Sequence, residues 1–429
     1  MKESILLVGF ILLALACNEA TKKEHRITNP DDYNIYLQTN KQQSFEQANS
    51  SREFWSKRLR PDSTGVGDIG PLAGAYGQLF ETTGNPIYLR NAETLYKKGM
   101  AISATGKDAF ARGLAHNYIS QHRFKEAYEL LQATLEGPSN KHETQLMLFD
   151  AAMEVGAYDK AYEYLEAIKN LKDYHYLIRL SKWSDYRGDL PSAIKYMEQA
   201  MRIAESRDSK SLKIWSYSNL ADYYGHAGRI KDSYQYYLKT LELQPDNAYV
   251  LKGIAWILYS EDKNTKEAHR IMDSVMQMRT LPDDHLFKAE LYAFEGNENL
   301  AQQSESNFIN ALSASDYGNM YQAYLIDFYA EAEPKRALEL ATQELENRPT
   351  PEVYHLYALA QLKNGMTQEA LETIENFVMG KTSEPMALFH NALVYKANQR
   401  QEKVKELKQE LAEAAYELGP IVTKQIEAL

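Results

Sequence analysis

Cysteine is almost missing: the chain of 429 residues holds one, Cys17. That excludes a disulfide framework and any zinc site built on several thiolates. Glycine and proline are sparse, at 21 and 13 residues, which excludes collagen-like and low-complexity chains. Positive charge is in deficit, with 48 Lys and Arg against 59 Asp and Glu and a net charge of −11. A phosphate backbone calls for a basic surface, so no nucleic-acid partner is expected. No apolar run reaches the roughly 20 residues of a bilayer-spanning helix. No alternating Val/Ile/Thr run bounded by turns marks a strand. What is present is helical periodicity, rich in Ala, Leu, Glu, Lys and Tyr.

The N-terminus reads MKES, then ILLVGFILLALA, then Cys17. A basic residue, a short apolar core and small residues at its end are the features of a secretory signal, here residues 1–16. Ala14-Leu15-Ala16 places the cleaved bond directly before the one cysteine. An exported protein has little use for a solitary terminal thiol in an oxidising compartment. ALAC resembles the lipobox of bacterial lipoproteins, with Ala14 where Leu is usual. The resemblance implies a diacylglyceryl group on Cys17 and further acyl chains such as palmitate. Acyl chains contribute about 0.8 kcal/mol per buried CH₂, so such a terminus stays on its membrane. Residues 17–30 are the lipidated Cys and polar tether, and Asn18, not the Asp of inner-membrane retention, favours the outer membrane. The expected location is the cell envelope, facing periplasm or surface.

Beyond the tether a glycine precedes a small helical residue by five positions at Gly156/Ala161, Gly188/Ala193, Gly228/Ser233, Gly296/Ala301 and Gly365/Ala370. Adding Ala127, Ala268 and Ala337 gives successive spacings of 34, 32, 40, 35, 33, 36 and 33, a mean period of about 34.7. The glycine suits a left-handed residue closing one helix, and the small residue lets the next helix approach its neighbour closely.

The pattern resembles the tetratricopeptide repeat (TPR) family. The clearest unit, WSYSNLADYYGHAGRIKDSYQYYLKTLELQP, carries Leu220, Ala221 and Tyr224 in its first helix and Ser233, Tyr237 and Pro245 in its second. Leu114, Ala115, Tyr118, Ala289, Tyr292, Tyr357 and Ala358 repeat parts of it. Phe149 and Leu325 stand where a small residue belongs, so packing there should be looser or shifted. The resemblance implies an all-α solenoid of helix-turn-helix units in a right-handed superhelix. About nine to ten units span 68–418, with an N-terminal helical cap and loop at 31–67 and a C-terminal tail at 419–429. The cap, with Phe45, Phe54, Trp55 and Leu59, is expected to cover the first exposed face.

Candidate chemistry is thin. GVGDIG, residues 65–70, matches G-x-G-x-x-G, but no strand precedes it; the expected structure is a loop with Pro71 at the first helical position. The ten histidines form no HExxH, and no nucleophile elbow or P-loop occurs. No catalytic, cofactor or metal site is expected, and the chain reads as a non-enzyme. Of the 31 tyrosines, Tyr118, Tyr224, Tyr237, Tyr292 and Tyr395 take core places in the repeat.

In the resembled family the first helices line a concave groove that receives a peptide or a partner's helix. Matching register places Arg112, His116, Arg179, Lys182, Asn219 and Asp222 in that groove. Arg112, Arg179 and Lys182 reverse the overall sign and would suit an acidic segment; alternatively they neutralise Asp150, Asp185 and Asp222. The expected function is a membrane-anchored scaffold for a protein or peptide partner. The other reading is a nutrient- or glycan-binding outer-membrane lipoprotein working with a transporter.

Overall fold

In a computed structural model, residues 26–38, 42–59, 65–138 and 140–429 are described; the signal segment and Cys17 lie outside them. Two helices come first, α1 (Pro30–Leu37) and α2 (Gln43–Arg58). Helix hairpins follow without interruption. They are α3 (Val66–Thr83) with α4 (Ile87–Ile102), α5 (Lys107–Ser120) with α6 (Phe124–Leu135), α7 (Lys141–Glu154) with α8 (Tyr158–Ala167), and α9 (Tyr174–Tyr186) with α10 (Leu190–Ser206). Next come α11 (Lys210–His226) with α12 (Ile230–Leu243), α13 (Ala248–Ser260) with α14 (Thr265–Met278), and α15 (Pro282–Phe294) with α16 (Glu298–Ala314). The last are α17 (Gln322–Ala332) with α18 (Pro334–Asn347), α19 (Pro351–Lys363) with α20 (Thr367–Phe377), and α21 (Pro385–Ala397) with α22 (Gln401–Leu411). A short 3₁₀ turn leads into α23 (Ala415–Glu427), and no strand occurs among the described residues.

The repeat signals act as their chemistry predicts. Gly156, Gly188, Gly228, Gly296 and Gly365 have φ of 71°, 73°, 68°, 75° and 79°, each closing the first helix of a hairpin. In three units that lack this glycine, His122, Lys263 and Gln399 take the same left-handed place, whereas the α17–α18 hairpin turns without one. Ala127, Ala161, Ala193, Ser233, Ala268, Ala301, Ala337 and Ala370 are all buried between helices. Tyr118, Tyr224, Tyr237 and Tyr395 are buried as well, and Tyr292 is half-buried. The fold is therefore an all-α solenoid of tetratricopeptide-type hairpins, each burying its apolar stripe against its neighbours.

Several local expectations need correction. Helix α3 begins at Val66, so Pro71 lies inside it and the Gly-rich match is mostly helical. Ile69, Leu72 and Ala73 form one buried stripe, and that burial holds the turn ahead of the proline in the helix. Phe149 does not loosen its unit: it is fully buried, and Ala152, one turn along the same helix and in the same core cluster, is small where Tyr118 and Tyr224 stand in other units. Large and small have traded places, a swap that keeps volume.

The array also coils back on itself. Arg279 Nη1 donates to the Glu81 carbonyl at 2.8 Å, Arg90 Nη1 to the Asp316 carbonyl at 2.7 Å, and Asn347 Nδ2 to the His122 carbonyl at 2.8 Å. Arg348 pairs with Glu154 at 3.1 Å. A Cβ on Gly156 would stand 2.8 Å from the Pro349 carbonyl oxygen, so this glycine serves both its own turn and the close approach of the later hairpins.

The two chain ends depart most from expectation. Helix α2 packs on α3, with Phe54 exposed. Helix α1 instead docks in mid-array on α12 and α14. Tyr33 is fully buried there and donates to Glu267 at 2.9 Å, while Thr28 Oγ1 donates to Asp262 at 2.6 Å. The strap from 26 to 38 thus crosses the coiled-back array. At the other end, 419–429 is no free tail: α23 packs on the first helices α11, α13, α15 and α21.

Candidate functional site

The first helices of the hairpins form the inner face, and the six groove candidates sit on them. Arg112 is buried, 3.3 Å from Thr144 Oγ1 and 3.5 Å from Glu143. His116 is exposed. Arg179 donates through Nε to the Leu146 carbonyl at 2.8 Å and pairs with Asp150. Lys182 pairs with Glu154 at 3.0 Å. Burial alone would lower the Lys182 ammonium, but Glu154 and Asp150 hold it above its ordinary value. Asn219 turns back to the Trp215 carbonyl of its own helix at 2.8 Å. Asp222 accepts from Tyr237 at 2.6 Å and Tyr249 at 2.8 Å.

The positive candidates are thus spoken for by acids of the neighbouring first helix. Of the neutralising acids expected, Asp150 serves Arg179; Lys182 takes Glu154 instead of Asp185, and Asp222 binds phenols. Each partner lies three or four residues from the repeat-equivalent place, since Leu146, Met147 and Asp150 are the equivalents of Arg112, Arg179 and Lys182, so the pairs span about one helical turn between adjacent first helices. Only Lys182 and Asp222 line the two clefts that open on this face.

The first cleft, about 460 Å³, lies between α7, α9 and the α19–α21 side of the coil and is closed by the C-terminal segment. Its walls carry Glu154, which pairs with both Lys182 and Arg348, and beyond that pair Asp185, Glu352, Glu384, Glu410, Glu413 and Glu417 with His226. Burial raises the Glu384 carboxyl to about 7, with Glu417 adding to the rise. Burial likewise raises Asp185 and Glu417, and His226 opposes it in both.

The second cleft, about 550 Å³, continues from the first through the shared His226 and Glu417. Its rings are Tyr237, Tyr249, Trp256, Phe287, Tyr324 and Tyr416. Trp256 and Phe287 lie 5.5 Å apart between centroids, while Tyr249 and Tyr324 are 52% and 47% exposed. Glu290 accepts from Tyr259 at 2.9 Å, and burial raises its carboxyl to about 7. Lys252 is paired with Asp283 at 2.6 Å and Asp284 at 3.1 Å.

Helix α23 borders this cleft. Trp256 Nε1 donates to the Tyr416 carbonyl at 3.0 Å. Gly419, at φ 74°, passes so close that a Cβ there would stand 2.9 Å from the Trp256 ring. The chain therefore lays one of its own helices across the inner face.

Tyr249, Trp256, Glu290 and Tyr324 were missed at the sequence level, although a signal for the last three is present. Asp222, Trp256, Glu290 and Tyr324 follow one another at intervals of 34 residues, close to the mean repeat period, and all four line the second cleft. Stepping 34 residues at a time from Asp222 reaches Trp256, Glu290 and Tyr324, while Tyr249 lies outside that series. Among the described residues, no three His, Cys, Asp or Glu side chains converge as a metal site, and no helix is long and apolar enough to cross a membrane.

No protein-family model and no curated protein sequence matches the chain. Similar solved structures include the human IFIT1 dimer with m7Gppp-AAAA, at 13% identity and TM-score 0.48, over 76% of this chain and 75% of that one. Yeast Tom70 is similar at 14% identity and TM-score 0.40, over 90% of this chain and 93% of that one. PilW, a type IV pilus biogenesis factor, is similar at 15% identity and TM-score 0.39, over 50% of this chain and 97% of that one. At these values the likeness extends to the helical architecture alone.

Proposed function

We propose that the protein is a lipid-anchored scaffold of the bacterial cell envelope that holds a protein or peptide partner on the inner face of its solenoid. One observation carries the binding half of this reading: α23 lies across α11, α13 and α15. A face that buries a helix of its own chain has the width, the rings and the hydrogen-bonding groups to accept a segment of another. The second cleft leaves part of that face open. The anchoring half rests on ALAC and the single Cys17, and the outer membrane on Asn18.

Photo-crosslinking in envelope preparations tests the binding half. A benzophenone side chain at Tyr249 or Tyr324 on the inner face should yield a discrete crosslinked species, whereas one at Lys195 on an outer helix should not. Equal yields from all three positions would refute an inner-face partner. Labelling with an acyl probe should mark wild type and spare Cys17→Ser; equal labelling would end the lipoprotein reading.

A further inference from the structure

The second cleft has an uneven supply of charge. Four carboxylates line it, Asp222, Asp283, Glu290 and Glu417, with Lys252 as the one Lys or Arg among its lining residues. Asp283 and Asp284 already claim that lysine. Asp222 and Glu290 are held by tyrosine hydroxyls, and among the described residues neither has a Lys or Arg within ion-pair distance. For Glu417 the close basic group is His226 Nδ1, at 4.0 Å.

The rings are equally short of cations. Elsewhere the repeat stacks an arginine over the tyrosine of its own hairpin turn: Arg123 over Tyr118 at 4.1 Å, Arg229 over Tyr224 at 4.0 Å and Arg336 over Tyr329 at 3.9 Å. Among the described residues, no cation of the chain covers Tyr237, Tyr249, Trp256, Phe287, Tyr324 or Tyr416. The cleft thus presents electron-rich faces and desolvated carboxylates together, on four successive hairpins.

We propose that this cleft reads arginine side chains on a basic segment of the partner, the guanidinium stacking on exposed rings and pairing with Asp222, Glu290 and Glu417. The proposal rests on the inner-face scaffold reading and names the partner's chemistry. It reverses the sign expected from Arg112, Arg179 and Lys182, whose charges are matched within the chain. Arginine fits better than lysine because its planar, weakly hydrated head both stacks on aromatic faces and takes a carboxylate through two N–H groups. A sugar ring would use the aromatic faces but leave the carboxylates without a countercharge. Burial holds Asp222, Glu290 and Glu417 above their ordinary values, and an arriving cation opposes that shift by favouring the charged forms.

The test uses the full chain carrying Cys17→Ser and a fluorescently labelled glycine–arginine peptide, with glycine–lysine and glycine–glutamate peptides and maltohexaose as comparisons. The arginine peptide should bind tightest and the glutamate peptide not at all. Asp222→Asn with Glu290→Gln, and separately Tyr324→Ala, should each weaken arginine binding by about tenfold. Glu163→Gln with Glu331→Gln, exposed acids away from the cleft, should change it little. Unchanged circular dichroism and a cooperative melting transition show that each variant is folded.

Equal loss from the exposed-acid control would reduce the binding to diffuse attraction toward an acidic chain and overturn the proposal. Binding of maltohexaose that depends on Tyr324 but not on the carboxylates would replace it with a glycan site. Crosslinks at Tyr249 and Tyr324 that survive neutralisation of Asp222 and Glu290 would overturn the arginine reading while leaving the inner-face scaffold standing. Loss of those crosslinks in wild type would remove both.

Discussion

Trp256 reaches across 160 residues of sequence to donate its indole N–H to the carbonyl of Tyr416 at 3.0 Å. This bond and the packing beside it pin α23 to the inner face. Around it, Gly419 fits only as glycine, because its φ is positive and a Cβ would meet the indole. Trp256→Ala should therefore release α23 without unwinding the array. Hydrogen exchange should rise at 415–427 and stay unchanged across α3 to α10. Unaltered protection at 415–427 would show that Trp256 does not hold the segment.

Glu384 sits among Glu352, Glu417 and Asp185, and burial raises its carboxyl to about 7. An acid whose folded value lies above its unfolded value of about 4.3 binds more protons when folded, so it costs stability as pH rises through that window. Glu384→Gln should raise the melting temperature at pH 8 and leave it almost unchanged at pH 4.5. A stabilisation of the same size at both values would mean that the charge is not what is being relieved.

His355 and His390 meet in the core between α19 and α21, with their Nδ1 atoms 2.9 Å apart. Burial lowers both, and His390 further lowers His355. Their neutral forms are favoured in the fold, so the stability they contribute is present above the unfolded value of about 6.5 and is lost as pH falls below it. Thermal unfolding should show a drop between pH 7 and pH 5 that is smaller in His355→Phe. An identical drop in the variant would assign the acid sensitivity elsewhere.

Ala193 is fully buried, and its carbonyl accepts from Ser181 Oγ at 2.7 Å across its hairpin. Ala193→Trp should cost about 1–3 kcal/mol or more through overpacking. Lys195→Trp, two residues on and exposed, should be within ±0.5 kcal/mol or so of wild type. Equal costs in chemical denaturation would deny Ala193 its part in helix contact.

Much of the architecture was legible because each hairpin is a local device. The glycine that ends a first helix, and the small residue five positions later, act through neighbours in sequence. They therefore appear as a period in one dimension. Phe149 with Ala152 shows the limit of that reading, since a pair that exchanges sizes looks like a defect one residue at a time. Pro71 shows another: the burial of Ile69, Leu72 and Ala73 outweighed the local signal for a helix start.

The site was legible only in its register. Sequence spacing put Arg112, Arg179, Lys182 and Asp222 on first helices, and the structure keeps them there. The sequence named Asp150 among the acids that answer those cations but not Glu143 or Glu154, because such pairs depend on side-chain reach between adjacent helices.

By itself, then, the sequence determined the helices, the period near 34, the turns and the small-residue contacts, all set by forces acting within one or two hairpins. Tertiary structure alone decided that the array coils until Glu154 meets Arg348, that Tyr33 docks beside Glu267, and that α23 crosses the inner face beneath Trp256. Those contacts join residues 160 to 234 positions apart. They follow from small rotations between hairpins that accumulate along the solenoid, and no local pattern records the sum.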